Sequence, residues 1–266
     1  MMIIDFHTHG KLAKKLPFST EYTDWLMREA RLAGLDAICL TEHFNTLEFD
    51  KLYGYLLESC KRDGDTLITE DGLRIFTGME TDIMEGGHIL SIGPPEDILE
   101  LNARLEPNKK IENFLPFDKL MDLFDQYPVI VGAAHPYRNG SHIPELPLEM
   151  LKRLDFLDLN GKDIAFDREY FEENTTELAK MLSIPMISGS DTHQALQYGC
   201  IHTNLYNTVN TVEELYEQMK YGNNEIEVSP YASFQVETAG LLKASLKEIH
   251  ALGGDYVSIL TNYCNA

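Results

Sequence analysis

The chain has 266 residues, 44% of them hydrophobic, enough for one large α/β barrel or two small domains with a sizeable core. Lysine and arginine total 22 against 43 aspartates and glutamates, a formal net charge of −21, which predicts repulsion of phosphate backbones and anionic lipid: no nucleic-acid partner and no membrane partner. A small anionic substrate stays compatible with that charge if bound metal ions dominate the local field.

No apolar run is long enough to span a bilayer, and no basic stretch followed by an apolar one opens the chain. Cys39, Cys60, Cys200 and Cys264 have no close spacing. Together these features predict a cytoplasmic protein with reduced, mostly buried thiols.

Strand-like and helix-like segments alternate along the chain. Met1 to Ile4 is an apolar run leading into Asp5-Phe6-His7-Thr8-His9. Ser19 or Thr20 caps a helix running to Gly34, with Tyr22, Trp25, Leu26, Ala30 and Ala33 at helical spacing. A short apolar strand, residues 36–40, ends in Thr41-Glu42-His43, and Phe49 to Cys60 reads as a second helix. Gly64-Asp65 and Asp71-Gly72 are turn signals, followed by a strand at residues 73–77 that ends in Gly78-Met79-Glu80. His88 opens the next extended run. Pro94 to Pro116 is irregular and reads as a short helix and a loop.

A helix from Phe117 to Gln126 precedes Val129 to Ala134, an unbroken apolar run of the kind buried on both faces of a parallel sheet, and then His135-Pro136. A short helix at Leu148 to Arg153 leads to a strand at Phe156 to Asn160. Asp167 caps a helix to Leu182, and Pro185 to Ser188 ends in Gly189-Ser190-Asp191-Thr192-His193. Thr211-Val212-Glu213-Glu214 is a capping box opening a helix that stops at Gly222. A last helix spans about Thr238 to Leu252. There is no repeat, no linker, no GxGxxG and no P-loop, so one α/β domain with a parallel sheet is expected, as a barrel or as an open sheet.

The chemistry is carried by position. Residues i and i+2 of a strand share a face, so His7 and His9 can reach one ion. His43, Glu80, His135, Asp191 and His193 also fall just after predicted strands, and in α/β barrels those ends form the active-site face. Counting His88, six of the nine histidines sit at strand borders. His142, His202 and His250 do not, and are read as ordinary.

This pattern resembles the polymerase-and-histidinol-phosphatase (PHP) superfamily of metal-dependent phosphoesterases. The matching motifs are Asp5-Phe6-His7-Thr8-His9, Thr41-Glu42-His43, Gly78-Met79-Glu80, Ala134-His135-Pro136 and Ser190-Asp191-Thr192-His193, in the family's order. The resemblance implies a single distorted (β/α)7 TIM-like barrel over residues 1–266, with the motifs within 1–193 and closing strand and helix units in 194–266. It implies two or three divalent ions, with zinc, manganese or iron favoured by the imidazole-rich donors. His7, His9 and Asp191 would bind the first ion. Glu80 would bridge to a second completed by His88 and His135, and His43 and His193 would hold a third.

One departure stands out. Where the family often supplies an acidic or histidine ligand after the His-x-His, this chain reads Gly10-Lys11-Leu12-Ala13-Lys14-Lys15. Either the third site is weak or absent, or Glu42 or Asp82 substitutes, or Lys14 or Lys15 supplies positive charge there to bind phosphate. Arg138 is a second substrate-binding candidate, as phosphate clamp or as solvated loop arginine. Asn160 is a candidate for the site or for a turn.

The expected reaction is hydrolysis of a small phosphorylated molecule by water activated between two metals about 3.5–4 Å apart, with Glu80, Asp191 and His193 as the catalytic side chains. The alternatives are a metal-dependent amidohydrolase of C–N bonds and a non-catalytic metal-binding regulatory domain.

Overall fold

The computed structural model describes residues 1–222 and 224–264. In chain order it holds β1 (Met2–Thr8), α1 (Thr20–Leu32), β2 (Ala37–Leu40), α2 (Phe49–Ser59), β3 (Lys61–Asp63), β4 (Thr66–Ile68), β5 (Arg74–Asp82) and β6 (His88–Ile92). Then come α3 (Pro95–Arg104), α4 (Phe117–Phe124), β7 (Ile130–Ala134), α5 (Leu148–Leu151), β8 (Phe156–Asn160), α6 (Gly161–Leu182) and β9 (Met186–Gly189). β10 (Ile201–Leu205), α7 (Val212–Tyr221), β11 (Glu225–Val228), α8 (Ala232–Ala251) and α9 (Tyr256–Cys264) complete it.

The strands β1-β2-β5-β6-β7-β8-β9 pair in that order, seven in all. The exit of β9 then returns to β1: Asp191 N donates to His7 O (2.7 Å) and His9 N to Thr192 O (2.9 Å). The first half of β1 instead pairs antiparallel with β10, which fills the remaining gap, and Ser188 N of β9 donates to Thr203 Oγ1 of β10. The result is a nearly closed, distorted barrel.

Three expectations need correction. The sheet is not all parallel: β6 runs antiparallel to both β5 and β7, and β10 and β11 form an antiparallel extension. The strands after residue 193 therefore pair antiparallel, β10 with β1 in the remaining gap and β11 with β10. The turn at Gly64-Asp65 also joins a short hairpin, β3 to β4, in the stretch read as turns alone. The last long helix begins at Ala232, six residues earlier than expected, and α9 follows it.

Local chemistry explains most boundaries. Ser19 accepts from Tyr22 N at the start of α1, and Thr211 and Glu214 form the complete capping box of α7. Asp167 interrupts α6 with extended torsions, and its Oδ1 accepts from Tyr170 N, so it caps the longer second segment.

Two apolar layers hold the barrel. Ala37, Cys39, Phe76, Leu90, Phe156 and Ile187 pack together inside it, with Leu215 and Met219 of α7 joining them. Outside, Ile38, Leu40, Ile75, Val131 and Leu157 pack against Trp25, Leu26, Leu52, Leu178 and their neighbours on the helices. The alternation along β2 (Ala37 and Cys39 in, Ile38 and Leu40 out) is the pleat at work. Cys39 and Cys200 are buried free thiols and Cys60 is half-buried, as expected; the Cys264 side chain lies outside those described.

Candidate metal centre

Each ligand candidate reaches the barrel mouth by its own backbone device. Phe6 belongs to the inner cluster, so strict alternation would turn His7 outward. The β1–β2 register shifts between Asp5 and Thr8, and this irregularity re-aims His7 to the mouth. Glu80 lies inside β5, not after its end. β5 pairs with β2 only as far as Thr77, then swings onto β6 from Gly78 onward. A Cβ at Gly78 would stand 2.5 Å from Ser91 O, so the crossing needs glycine.

His88 opens β6, and because β6 runs backwards its start meets the ends of the others. His135 and Asp191 have left-handed backbones (φ 32° and 59°), a conformation uncommon outside glycine and frequent at functional sites. Gly189 lets β9 touch β1, since a Cβ there would lie 2.2 Å from His7 Cβ.

The side chains converge on Glu80. Its Oε2 lies 3.5 Å from His7 Nε2, 3.5 Å from His9 Nε2 and 2.7 Å from His43 Nδ1. Its Oε1 lies 2.6 Å from His88 Nδ1 and 3.1 Å from His135 Nε2. The carboxylate thus offers one oxygen to each of two imidazole groups. Three sets of ligand atoms lie within 4.8 Å of one another: His7, His9 and Asp191; His7, Glu80 and His135; His9, His43 and His193. These sets hold seven of the eight predicted ligands, and His88 joins them through Glu80 Oε1. The third set is all imidazole and includes neither Glu42 nor Asp82. Glu42 accepts from the backbone of Gly10 and His43, and Asp82 pairs with His88 and Lys14.

The donors fit divalent cations. His7 Nε2, both nitrogens of His9, Nδ1 of His43 and His193, and Glu80 Oε2 are buried without a hydrogen-bond partner. Buried polar atoms are rarely left so, and here they cluster and point at shared space. Imidazole with carboxylate suits zinc, manganese or iron better than magnesium.

Electrostatics tell the same story. Burial resists charge on Glu80, but His43, His88 and His7 hold its carboxyl well below the usual range. Burial likewise resists charge on His7, yet Glu80 and Asp158 raise its pKa to about 10. His88 is raised to about 9 by Glu80 and Asp82 against the same burial cost. Burial depresses His43 to about 4 and keeps His135 and His193 uncharged. Protons on His7 and His88 stand where cations would neutralise the same carboxylates.

Several supporting residues were not anticipated. Asp158, within the apolar strand β8, accepts from His7 Nδ1 at 3.0 Å and so leaves Nε2 free to ligate. Its signal was a carboxylate inside an otherwise apolar strand. Asn160 has both of its expected roles: its Nδ2 donates to Asp158 Oδ2, and its Oδ1 caps α6 through Lys162 N. Asp5 ties β1 to β9 by accepting from His7 N and Ser190 N, and burial raises its pKa to about 7.

Lys162 places Nζ 2.8 Å from Asp191 Oδ2. Arg138 donates to Asp163, Asp191 and Asn160, so it clamps Asp191 and is no solvated loop arginine. Lys14 reaches the centre's edge through Asp82 (3.3 Å), whereas Lys15 is exposed and makes no ion pair among the described residues. Both line an open cavity of about 730 Å³ beside the loop at Asn45 to Asp50. His142 and His202 pair with Glu145 and Glu227, away from the cluster.

No protein-family profile and no curated protein matches the sequence. Solved structures do. PsfC from Pseudomonas syringae PB-5123 superposes with a TM-score of 0.76 at 21% identity, over 92% of this chain and 98% of PsfC. The chain shares the fold of that protein. Endonuclease Q, solved with a 27-mer duplex carrying an abasic lesion at the active site, shares it at a TM-score of 0.61 and 18% identity, and the Pyrococcus furiosus endonuclease Q at 0.60 and 20%.

This chain spans only 58% and 57% of those two proteins. A protein sharing this fold therefore holds duplex DNA at its active site, and the exclusion of nucleic acid from net charge does not stand. Net charge sums the whole surface, whereas a substrate meets the field at one mouth. Among the described residues no helix is long and apolar enough to cross a membrane.

Proposed function

We propose that the chain is a metal-dependent phosphoesterase acting on a phosphate ester, first of all a small phosphorylated molecule. The observation that carries this reading is the convergence of five imidazoles on the two oxygens of Glu80, with the nitrogens of His7, His9 and His43 that face Oε2 buried and unpartnered. His7, His9 and Asp191 would hold one ion, with Glu80, His135 and His88 around a second and His9, His43 and His193 offering a third place. Bound divalent cations supply the positive charge that acidifies water and neutralises phosphoryl oxygens.

The protein's own groups do the rest. Glu80, kept ionised, fixes the spacing of the two ligand sets. Arg138 and Lys162 clamp Asp191 Oδ2 and thereby turn Oδ1 to the site, 3.3 Å from His9 Nε2. His193 is uncharged, and its unpartnered Nδ1 lies 3.7 Å from Asp191 Oδ1. That pair is placed to take the proton of the attacking water. Asp158 holds His7 in one tautomer.

A second reading, cleavage of a phosphodiester in nucleic acid, draws on the fold shared with endonuclease Q. Elemental analysis of protein purified without chelator, then a panel of phosphate monoesters, a diester and an abasic duplex, tests both. Fewer than one metal per chain after reloading refutes the metallocentre. Bound metal with no ester turned over, but an amide hydrolysed, returns the choice to the amidohydrolase.

A further inference from the structure

We propose that Lys162 and Lys243 together seat the terminal phosphoryl group of the substrate beside Asp191, and so favour a dianionic monoester over a diester. This rests on the phosphoesterase reading above and names the residues that would choose the ester.

Lys162 stands in the first turn of α6, immediately after β8, at the barrel mouth. Its ammonium touches Asp191 Oδ2, yet its side chain is 33% exposed. An ammonium has three donors, and among the described residues Asp191 is the one partner of this one. Arg138 is in the opposite condition: its guanidinium is spread over Asp163, Asp191 and Asn160. Arg138 thus spends three of its five N–H donors on fixed protein partners, whereas Lys162 keeps two of its three free beside Asp191.

Lys243 comes from α8, which packs against α6. It is half-buried and makes no ion pair or hydrogen bond among the described residues. The charges it feels are Lys162, Asp191, Lys247 and Glu42, and burial followed by repulsion from Lys162 brings its pKa down to about 8. The chain carries almost two acids for every base, yet no carboxylate is placed against this lysine. Asp191 is already shared with Arg138 and Lys162. Two neighbouring half-buried ammonium groups are costly unless an anion joins them. A terminal phosphoryl dianion offers several oxygens and two charges; a diester offers one charge.

The experiment titrates inorganic phosphate, and separately dimethyl phosphate, into the metal-loaded full chain by calorimetry, with metals per chain counted for each protein. A charge-assisted hydrogen bond is worth enough for about a tenfold effect, so Lys162→Met should weaken phosphate at least that much and Lys243→Met several-fold. Metal content should match the parent, and dimethyl phosphate should bind the parent more weakly and respond little to either change.

Phosphate affinities within twofold of the parent in both variants overturn the proposal. So does metal loss in Lys162→Met with Lys243→Met unaffected, because Lys162 would then only position Asp191. Dimethyl phosphate binding the parent as tightly as phosphate overturns the preference for a monoester. A parent that retains no metal refutes the phosphoesterase reading instead, so the two failures are told apart.

Discussion

Asp158→Asn isolates what one buried carboxylate does for the metal centre. Asp158 Oδ2 accepts from His7 Nδ1 (3.0 Å) and from Asn160 Nδ2 (2.9 Å), and both Asp158 and His7 are fully buried, so water cannot take over. The amide oxygen of asparagine can still accept both bonds. Its NH2 then falls where Asp158 Oδ1 now lies, buried and without a partner. The substitution removes the negative charge that makes His7 a better ligand and adds an unsatisfied donor.

Outer-shell changes of this kind cost 10- to 100-fold in metal affinity, or about 1.4–2.7 kcal/mol. His7, with Nδ1 engaged, would ligate through Nε2 alone beside His9 and Asp191, so the loss should fall on that ion and spare the place offered by His9, His43 and His193. Competition with a chelating dye for stepwise binding measures each ion separately, with circular dichroism monitoring the fold. Affinities within twofold of the parent, or equal losses at every ion, would refute the assigned role of Asp158.

Glu80→Ala should lose both activity and metal, since one carboxylate faces both imidazole groups, while His142→Ala and His250→Ala leave both unchanged; elemental analysis and turnover of the best ester decide it. Gly189→Ala drives a Cβ to 2.2 Å from His7 Cβ and 2.5 Å from His7 N, so β9 must part from β1. The expected loss is about 1–3 kcal/mol, read as a lower Tm, whereas Gly54→Ala, whose Cβ meets nothing within 4 Å in α2, should raise stability by about 0.5–1 kcal/mol.

Burial raises the pKa of Asp155, whose Oδ2 accepts from Val131 N. A folded pKa above the unfolded one penalises the ionised form, so the native side chain costs stability as pH rises above about 4. Asp155→Asn should therefore raise Tm at pH 7.5 and lose that advantage as pH falls toward 4; an equal shift at both pH values contradicts the assignment.

The sequence by itself determined the alternation of strands and helices and the residues that crowd the mouth. Those signals are local: the apolar period of α1, the capping box of α7 and ligand residues just beyond apolar runs are all written within a few positions. It did not determine the direction of β6, because a strand's pattern is the same read either way. Only the tertiary pairing with β5 and β7 brought His88 to the rim where the other strands end.

Asp158, Lys162 and Lys243 escaped notice for a related reason. Each matters through a partner 29 to 151 residues away, and even where a residue stands out locally, as Asp158 does in its apolar strand, nothing local names that partner. The continuation of β5 past Thr77 was likewise hidden, since Gly78-Met79-Glu80 reads as the end of one strand and is also the start of pairing with another. The net charge was legible and misled about nucleic acid. It is a property of composition, while recognition depends on which few charges the fold gathers at one place, and here Arg138 and Lys162 meet on Asp191 within an otherwise acidic protein.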